Sequence, residues 1–231
     1  MTKYLFFALM IISFGIKAFQ VEPFIQFMEP IGKKSNATFK ITNTTDKPLP
    51  IETELLKSNL NNDDIESTIE SDDFFIMPPQ TLIPANSSQV FRVRYLGGSE
   101  INKSEPYRVL FKQLSLDQSE KKGSHVEVLF NFSALILLSP MNAKEDLAIN
   151  VSSLNNAYSI NIENEGNKFS DLSQKKLEIQ GSKDGVILNW QDFSDLTQFQ
   201  FVLPGRSKSF TITSEMFPAI GKIESIDFVP M

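Results

Sequence analysis

From Gln89 to Tyr95 the chain reads QVFRVRY, with Phe91, Val93 and Tyr95 on one face and Arg92 and Arg94 on the other. A period of two marks a strand with one buried and one wet face, and it does not fit a helix. The same texture recurs. Thr38 to Thr42 alternates before a turn at Asn43 to Pro48, and Leu49 to Lys57 follows. Asp72 to Met77 runs into the Pro78-Pro79 corner, and Tyr107 to Leu114 resumes the pattern after Gly97-Gly98. The longest such stretch is HVEVLFNFSALILLSP, His125 to Pro140, which starts as clean alternation and ends as a solid apolar run from Ala134 to Leu138. About seven strands separated by Pro, Gly and Asn turns predict an antiparallel β-sandwich. No stretch carries the period of a long amphipathic helix.

Beyond Pro140-Met141-Asn142 the predicted strands shorten: Leu147 to Val151, Tyr158 to Glu163, Leu177 to Gln180, Val186 to Trp190, Phe199 to Leu203 and Ser207 to Thr213, with a tight turn at Pro204-Gly205. This predicts a second, smaller β domain. The first twenty residues, MTKYLFFALMIISFGIKAFQ, place Lys3 before an apolar core and small Ala18 after it. That order reads as a secretory signal peptide, and the core is short for a membrane span. The expected organisation is a signal peptide at 1–18, an N-terminal domain at 19–140 and a C-terminal domain at 141–231. A retained N-terminal anchor is the alternative. No later segment suits a membrane helix, so no stable membrane insertion is expected.

Composition removes several functions. Twenty-two Lys and Arg against 28 Asp and Glu give a formal charge of -6, which argues against a nucleic-acid partner. Without cysteine the chain has no disulfide framework and no thiolate metal site. Its one histidine, His125, is too few for an imidazole metal centre and lacks a nucleophile context. Phosphate-binding and dinucleotide-binding glycine patterns are missing. The expectation is a protein without enzymatic activity, metal or cofactor. Acidic residues from Asn59 to Asp73 lack the ligand register and glycine of a calcium loop, and read as a solvated connection. Export without cysteine favours a bacterial envelope compartment, and the Asn-x-Ser/Thr triplets read as chance products of composition.

Gln89 to Tyr95, then Tyr107-Arg108-Val109-Leu110-Phe111-Lys112-Gln113, then a long alternating strand ending in proline, resembles the periplasmic chaperones of the chaperone–usher pilus pathway. Leu203-Pro204-Gly205-Arg206-Ser207 resembles a turn of their second domain, and Pro79 to Ser88 resembles their proline-rich approach to the arginine-bearing strand. The resemblance spans the whole chain. It implies an all-β protein of two immunoglobulin-like domains set as an L or boomerang, working in the periplasm. Its partners would be pilin or fimbrial subunits and an outer-membrane usher. The chaperone lends a strand to complete the subunit's fold, a form of β-augmentation. Carried over by position, the subunit-facing residues are Val126, Val128 and Phe130, with Phe132 a fourth candidate. Leu129 and Asn131 are then expected to pack homeward. Periodicity alone favours an internal core strand of an ordinary sandwich, and the whole-chain resemblance reverses that preference.

One departure stands out. Many members of the family hold the subunit's terminal carboxylate with an arginine in the first strand and a lysine late in this long strand. Here the first strand reads EPFIQFM from Glu22, without arginine, and the lysine's place falls at Leu135. The resemblance therefore implies a divergent, alternate or alpha-like branch with another anchor, and Gln26, Lys112, Arg108 and Lys144 are the candidates. Arg92 and Arg94 are candidate surface contacts to the usher or the subunit. The free protein is expected to protect its apolar edge by dimerising or capping. The competing reading is a two-domain β-sandwich that is itself a structural or adhesive pilus component.

Overall fold

Phe39 and Phe91, alternating residues of two neighbouring strands, meet Phe111 edge-to-face at 5.7 and 5.3 Å across one apolar core. The computed structural model describes residues 19–61, 65–115, 128–154 and 157–230. The predicted signal peptide, His125 and Val126 lie outside the described residues. Around this core stand β1 (Gln20–Glu22), β2 (Ile25–Met28), β3 (Asn36–Thr42), β4 (Leu49–Leu60), β5 (Glu66–Glu70), β6 (Phe74–Met77), β7 (Gln80–Ile83), β8 (Ser88–Tyr95), β9 (Glu105–Gln113) and β10 (Asn131–Leu138). One sheet has the order β1-β3-β8-β6; the other runs β2-β10-β9-β4-β5, with β7 also pairing β4.

The ladders are antiparallel except one: β2 runs parallel to β10, with Leu135 opposite Ile25 and Leu138 opposite Met28. Pro23 separates β1, which pairs β3, from β2, which pairs β10. Proline has no N–H to give a ladder, so it suits the crossing between sheets. The acidic stretch expected as a plain connection contains β5, which pairs β4 from Leu56 to Leu60. Every residue of β5 is exposed, so it carries no apolar alternation to betray it.

The second core gathers Ile160, Ile162, Leu177, Ile179, Phe193 and Ile212, among others. Its elements are β11 (Leu147–Leu154), β12 (Ala157–Asn164), β13 (Ser170–Asp171), β14 (Lys175–Gly181), β15 (Gly185–Leu188), α1 (Trp190–Thr197), β16 (Phe201–Val202), β17 (Ser207–Thr213) and β18 (Ile223–Pro230). They form sheets β11-β12-β17, β15-β14-β18 and β13-β16. The strand expected to reach Trp190 stops at Leu188, and α1 begins instead. Asn189 and Asp192 form a capping box at its start, and Phe193 is buried. Eight residues are too few for a helical period to show in sequence.

Each domain is pinned by one buried asparagine after an equivalent strand. Asn43 follows β3, and its Nδ2 lies within 3.2 Å of the Lys47, Ile83 and Pro84 carbonyls. Asn164 ends β12; its Nδ2 donates to the carbonyls of Lys168 (2.7 Å) and Val202 (2.9 Å), while Oδ1 accepts from the Gly166 N–H at 3.1 Å. Both are fully buried, so their bonds replace water that cannot enter. Asn164→Asp keeps the shape but turns a donor into an acceptor facing two carbonyls. It should lower stability by about 3 kcal/mol. The readout is an earlier urea midpoint in the fluorescence of Trp190, the chain's one tryptophan; an unchanged midpoint would contradict this role.

Candidate functional site

β10 is two strands in one. Along its whole length it pairs β9, from Asn131 opposite Lys112 to Leu138 opposite Glu105. On its other side β2 covers only Leu135 to Leu138. The Leu135 N–H donates to the Phe24 carbonyl at 2.8 Å and the Ser139 N–H to Met28 at 2.9 Å. By the alternation of an antiparallel ladder, the backbone groups of Asn131 and Ser133 point to that same side. No described strand covers them. Towards the N-terminus the pairing with β9 continues through Phe130, whose carbonyl accepts the Gln113 N–H at 3.1 Å and whose N–H donates to Gln113 Oε1 at 3.2 Å.

The side chains of β10 divide by parity. Ala134, Ile136 and Leu138 are fully buried in the first core, and Phe132 packs on that core with its ring 4.6 Å from Phe19, edge-to-face. Phe132 is thus partly occupied by its own domain. Val128 and Phe130 continue the same even-numbered row, yet 64% and 37% of their surface is exposed. Leu129 is 43% exposed and Asn131 is exposed too. The expectation that these two pack homeward is therefore corrected: the homeward face is the even one, because Ile136 and Leu138 fix its parity. Val126, the remaining candidate, lies outside the described residues.

The odd face of β10 meets the cleft between the domains. Leu135 and Leu137 line it from the first domain, and Phe199, Phe201 and Leu203 from the second. Arg108, Arg206, Lys208 and Glu66 stand around it. The domains are held together beside it. Phe27 stacks on Phe169 with centroids 5.2 Å apart, and Phe201 lies edge-on to Phe169 at 5.7 Å. The hydroxyls of Ser104 and Ser139 are hydrogen-bonded at 2.7 Å in a buried position, and Ser104 Oγ accepts the Phe169 N–H at 3.1 Å.

The candidate anchors are distributed differently from expectation. Gln26 donates to the Thr38 carbonyl at 2.8 Å, across the sandwich. Lys112 is paired with Glu54, whose carboxylate raises the lysine's pKa above its ordinary value. Arg108 grips Glu66 with two hydrogen bonds, Nε to Oε1 at 2.8 Å and Nη2 to Oε2 at 2.9 Å. Arg92 and Arg94 are exposed on β8. They stand in register with Met77 and Phe75 of β6, both exposed apolar residues. Among the described residues neither arginine joins the ion pairs. Sequence reasoning passed over Phe199, Phe201, Arg206 and Lys208. Their period of two is visible, but which face meets the other domain is not.

The chain's relatives agree with this architecture. Residues 30–144 match the family model of the PapD N-terminal domain of pili and flagellar-assembly chaperones. No curated protein matches at the level of sequence. Among solved structures, the Escherichia coli chaperone DraB is 14% identical, covering 93% of this chain and 97% of its own, with a TM-score of 0.57. The class 5 fimbriae chaperone CfaA is 16% identical, covering 93% and 100%, with a TM-score of 0.56. A Salmonella enterica structure of SafA pilin with the SafB chaperone is 13% identical over 94% and 98%, with a TM-score of 0.55. At these identities the structures establish a shared fold.

The Arg108–Glu66 pair makes the cleft wall sensitive to acid. The Arg108 hydrogen bonds hold the Glu66 carboxyl below its ordinary pKa of 4.5. A depressed carboxylate stabilises the fold above the unfolded value, and that contribution disappears as pH falls through the lowered one. Glu66→Gln should cost about 0.5–1 kcal/mol at pH 7 for this half-exposed pair. Urea midpoints of variant and parent should converge as pH falls through that lowered pKa; a gap that persists unchanged at pH 2 would remove the ion pair as its cause.

Proposed function

This chain belongs to the PapD-like family of periplasmic chaperones that serve chaperone–usher pilus assembly, and from that premise we propose that it holds its pilin subunit on the open edge of β10. It binds and delivers pilin subunits, with an outer-membrane usher as the receiving partner, and its two β domains are arranged as in boomerang-shaped chaperones of this family. The proposal assigns the binding to particular residues. Val126, Val128 and Phe130 enter the subunit's incomplete core. The backbone of Asn131 and Ser133 supplies ladder hydrogen bonds to the subunit's own edge strand. Residues 1–18 act as the export leader in this reading, 19–140 as the subunit-holding domain and 141–231 as its partner domain.

The observation that carries this is the continuity of the even row. The face that fills the first core from Phe132 to Leu138 continues, uncovered, through Phe130 and Val128. An exposed apolar edge strand is a liability that proteins ordinarily avoid with charge, proline or a cover. Its retention here points to a partner that completes it. Fully burying each large side chain contributes roughly 1.5–3 kcal/mol before ordering costs, and a strand partner satisfies the open backbone groups as well. A Val128→Asp/Phe130→Asp variant, tagged and recovered from the native periplasm, should lose the subunit-sized partner that the parent retains. Equal recovery by both would move the binding site off this edge.

Arg92 and Arg94 support a second contact. They project from the sheet opposite β10, so a subunit on the edge leaves them free. Beside exposed Phe75 and Met77 they offer the mixture of cation and apolar surface that marks an interface, and we assign this face to the usher. Arg92→Glu/Arg94→Glu should keep subunit recovery intact while reducing surface pili about tenfold or more, scored by electron microscopy. Normal piliation would withdraw the assignment.

A further inference from the structure

Exposure climbs in steps along the even row of β10. Ala134 is fully buried, Phe132 partly buried, Phe130 37% exposed and Val128 64% exposed. The step between Phe132 and Phe130 has a visible cause in Phe19. Phe19 is 2% exposed and belongs to the first core, and its ring meets Phe132 edge-to-face at 4.6 Å. It comes from the side of the other sheet, since the next residue, Gln20, opens β1 and pairs Thr42 of β3. Phe19 therefore closes the seam between the two sheets at the level of Phe132. Residues two apart on a strand are about 6.6–7 Å apart, so the ring that shields Phe132 leaves Phe130 uncovered.

The open backbone runs further than the open side chains. Asn131 and Ser133 turn their backbone groups to the side that β2 covers only from Leu135 onward. A strand added there can pair as far as Ser133, beyond Phe132. The side chain of Phe132 is already committed. To enter another core its ring must leave Phe19, which exposes a buried aromatic ring and opens the core that Phe19 shares with Val21. The apolar row available to a partner thus ends before the backbone available to it.

Resting on the reading of β10 as the subunit-binding edge, we propose that Phe19 is a specificity-determining residue that ends the donated row at Phe130. The partner it fits is a subunit whose open groove takes Phe130 as its last apolar side chain while its edge strand pairs the backbone beyond. A subunit that needs a further apolar side chain at the next position is refused, because Phe19 already holds Phe132. The discrimination comes from a contact withheld from the wrong partner.

The test maps which side chains of the row touch the subunit. A diazirine-bearing aliphatic residue is introduced at position 130 or 132 of the full chain by codon suppression, with Phe19 intact or with Phe19→Ala, in the native host. On illumination the carbene reacts with whatever lies in contact, within about 4–4.5 Å. Adducts of subunit-added mass are then counted on gels of the periplasm. With Phe19 intact, position 130 should give the adduct and position 132 about tenfold less of it or lower. In Phe19→Ala the adduct from 132 should rise to about the level of 130. Phe19→Val, a milder truncation, serves if Phe19→Ala loses its circular dichroism spectrum. Adducts of equal strength from 130 and 132 with Phe19 intact would overturn the stop and leave the edge reading standing. A position 132 that stays silent in the Phe19 variants, while 130 reacts, would remove Phe19 as its cause. No adduct from 130 in the chain with Phe19 intact would overturn the edge reading itself, and the proposal with it.

Discussion

The parallel ladder between β2 and β10 covers four residues, Leu135 to Leu138, and the functional architecture follows from where that cover stops. Were β2 four residues longer at its start, β10 would be an interior strand and the domain a closed sandwich with nothing to offer. The chain instead spends Gln20 to Glu22 on β3 in the other sheet and crosses at Pro23. One strand is thereby committed to its own core at one end and, among the described strands, uncovered at the other. Since side chains alternate strictly along a strand, both ends present the same face. The row that fills the domain's core is also the row available to a partner.

The cleft illustrates how position and charge can part company within a family fold. Where the family resemblance implies a lysine, Leu135 lies half-buried against Ile25 and Arg108. A cation there would face Leu137, Phe201 and Leu203, with a desolvation cost and, among the described lining residues, no carboxylate except one already held by Arg108. Positive charge sits instead on the second domain's side, at Arg206 and Lys208. The two walls of the cleft are held at a fixed separation. The buried Ser104–Ser139 hydroxyl pair, the Phe169 N–H and the Phe27–Phe169–Phe201 ring cluster supply it.

Much of this was legible in the sequence, and the remainder was hidden for identifiable reasons. The strands that alternate, such as Ser88 to Tyr95 and Ser207 to Thr213, stood out because one face is wet and the other dry. β5 did not, since both its faces meet water. The helix at Trp190 was too short for its period to register, and β18 was passed over although it borders the second core. The parity of the long strand was partly misassigned. Its alternation shows that Val128, Phe130 and Phe132 share a face, but only the buried neighbours Ala134, Ile136 and Leu138 reveal that this face is also the homeward one. Gln26 looked available as an anchor because sequence does not show that the opposite sheet offers it the Thr38 carbonyl. Pockets formed between domains are the least legible feature, for their walls come from residues as far apart in the chain as Glu66, Leu135 and Lys208.

That shared row also constrains how tightly such a site can hold. A fully apolar edge would self-associate, whereas a fully covered one would not bind. Here the apolar pair Val128 and Phe130 is followed on the open side by Asn131 and Ser133, whose small polar side chains remain exposed. On the reading proposed for this edge, backbone pairing along that stretch recovers little apolar area, so affinity concentrates at the exposed pair Val128 and Phe130. An apolar foothold continued by a strand of weak side-chain contacts favours release in steps, because peeling away the weakly held stretch leaves the foothold to hold a partner at raised effective concentration. A carrier that hands its cargo on without a nucleotide-driven step needs that intermediate, since one part of the interface can open while the other still shields the apolar row.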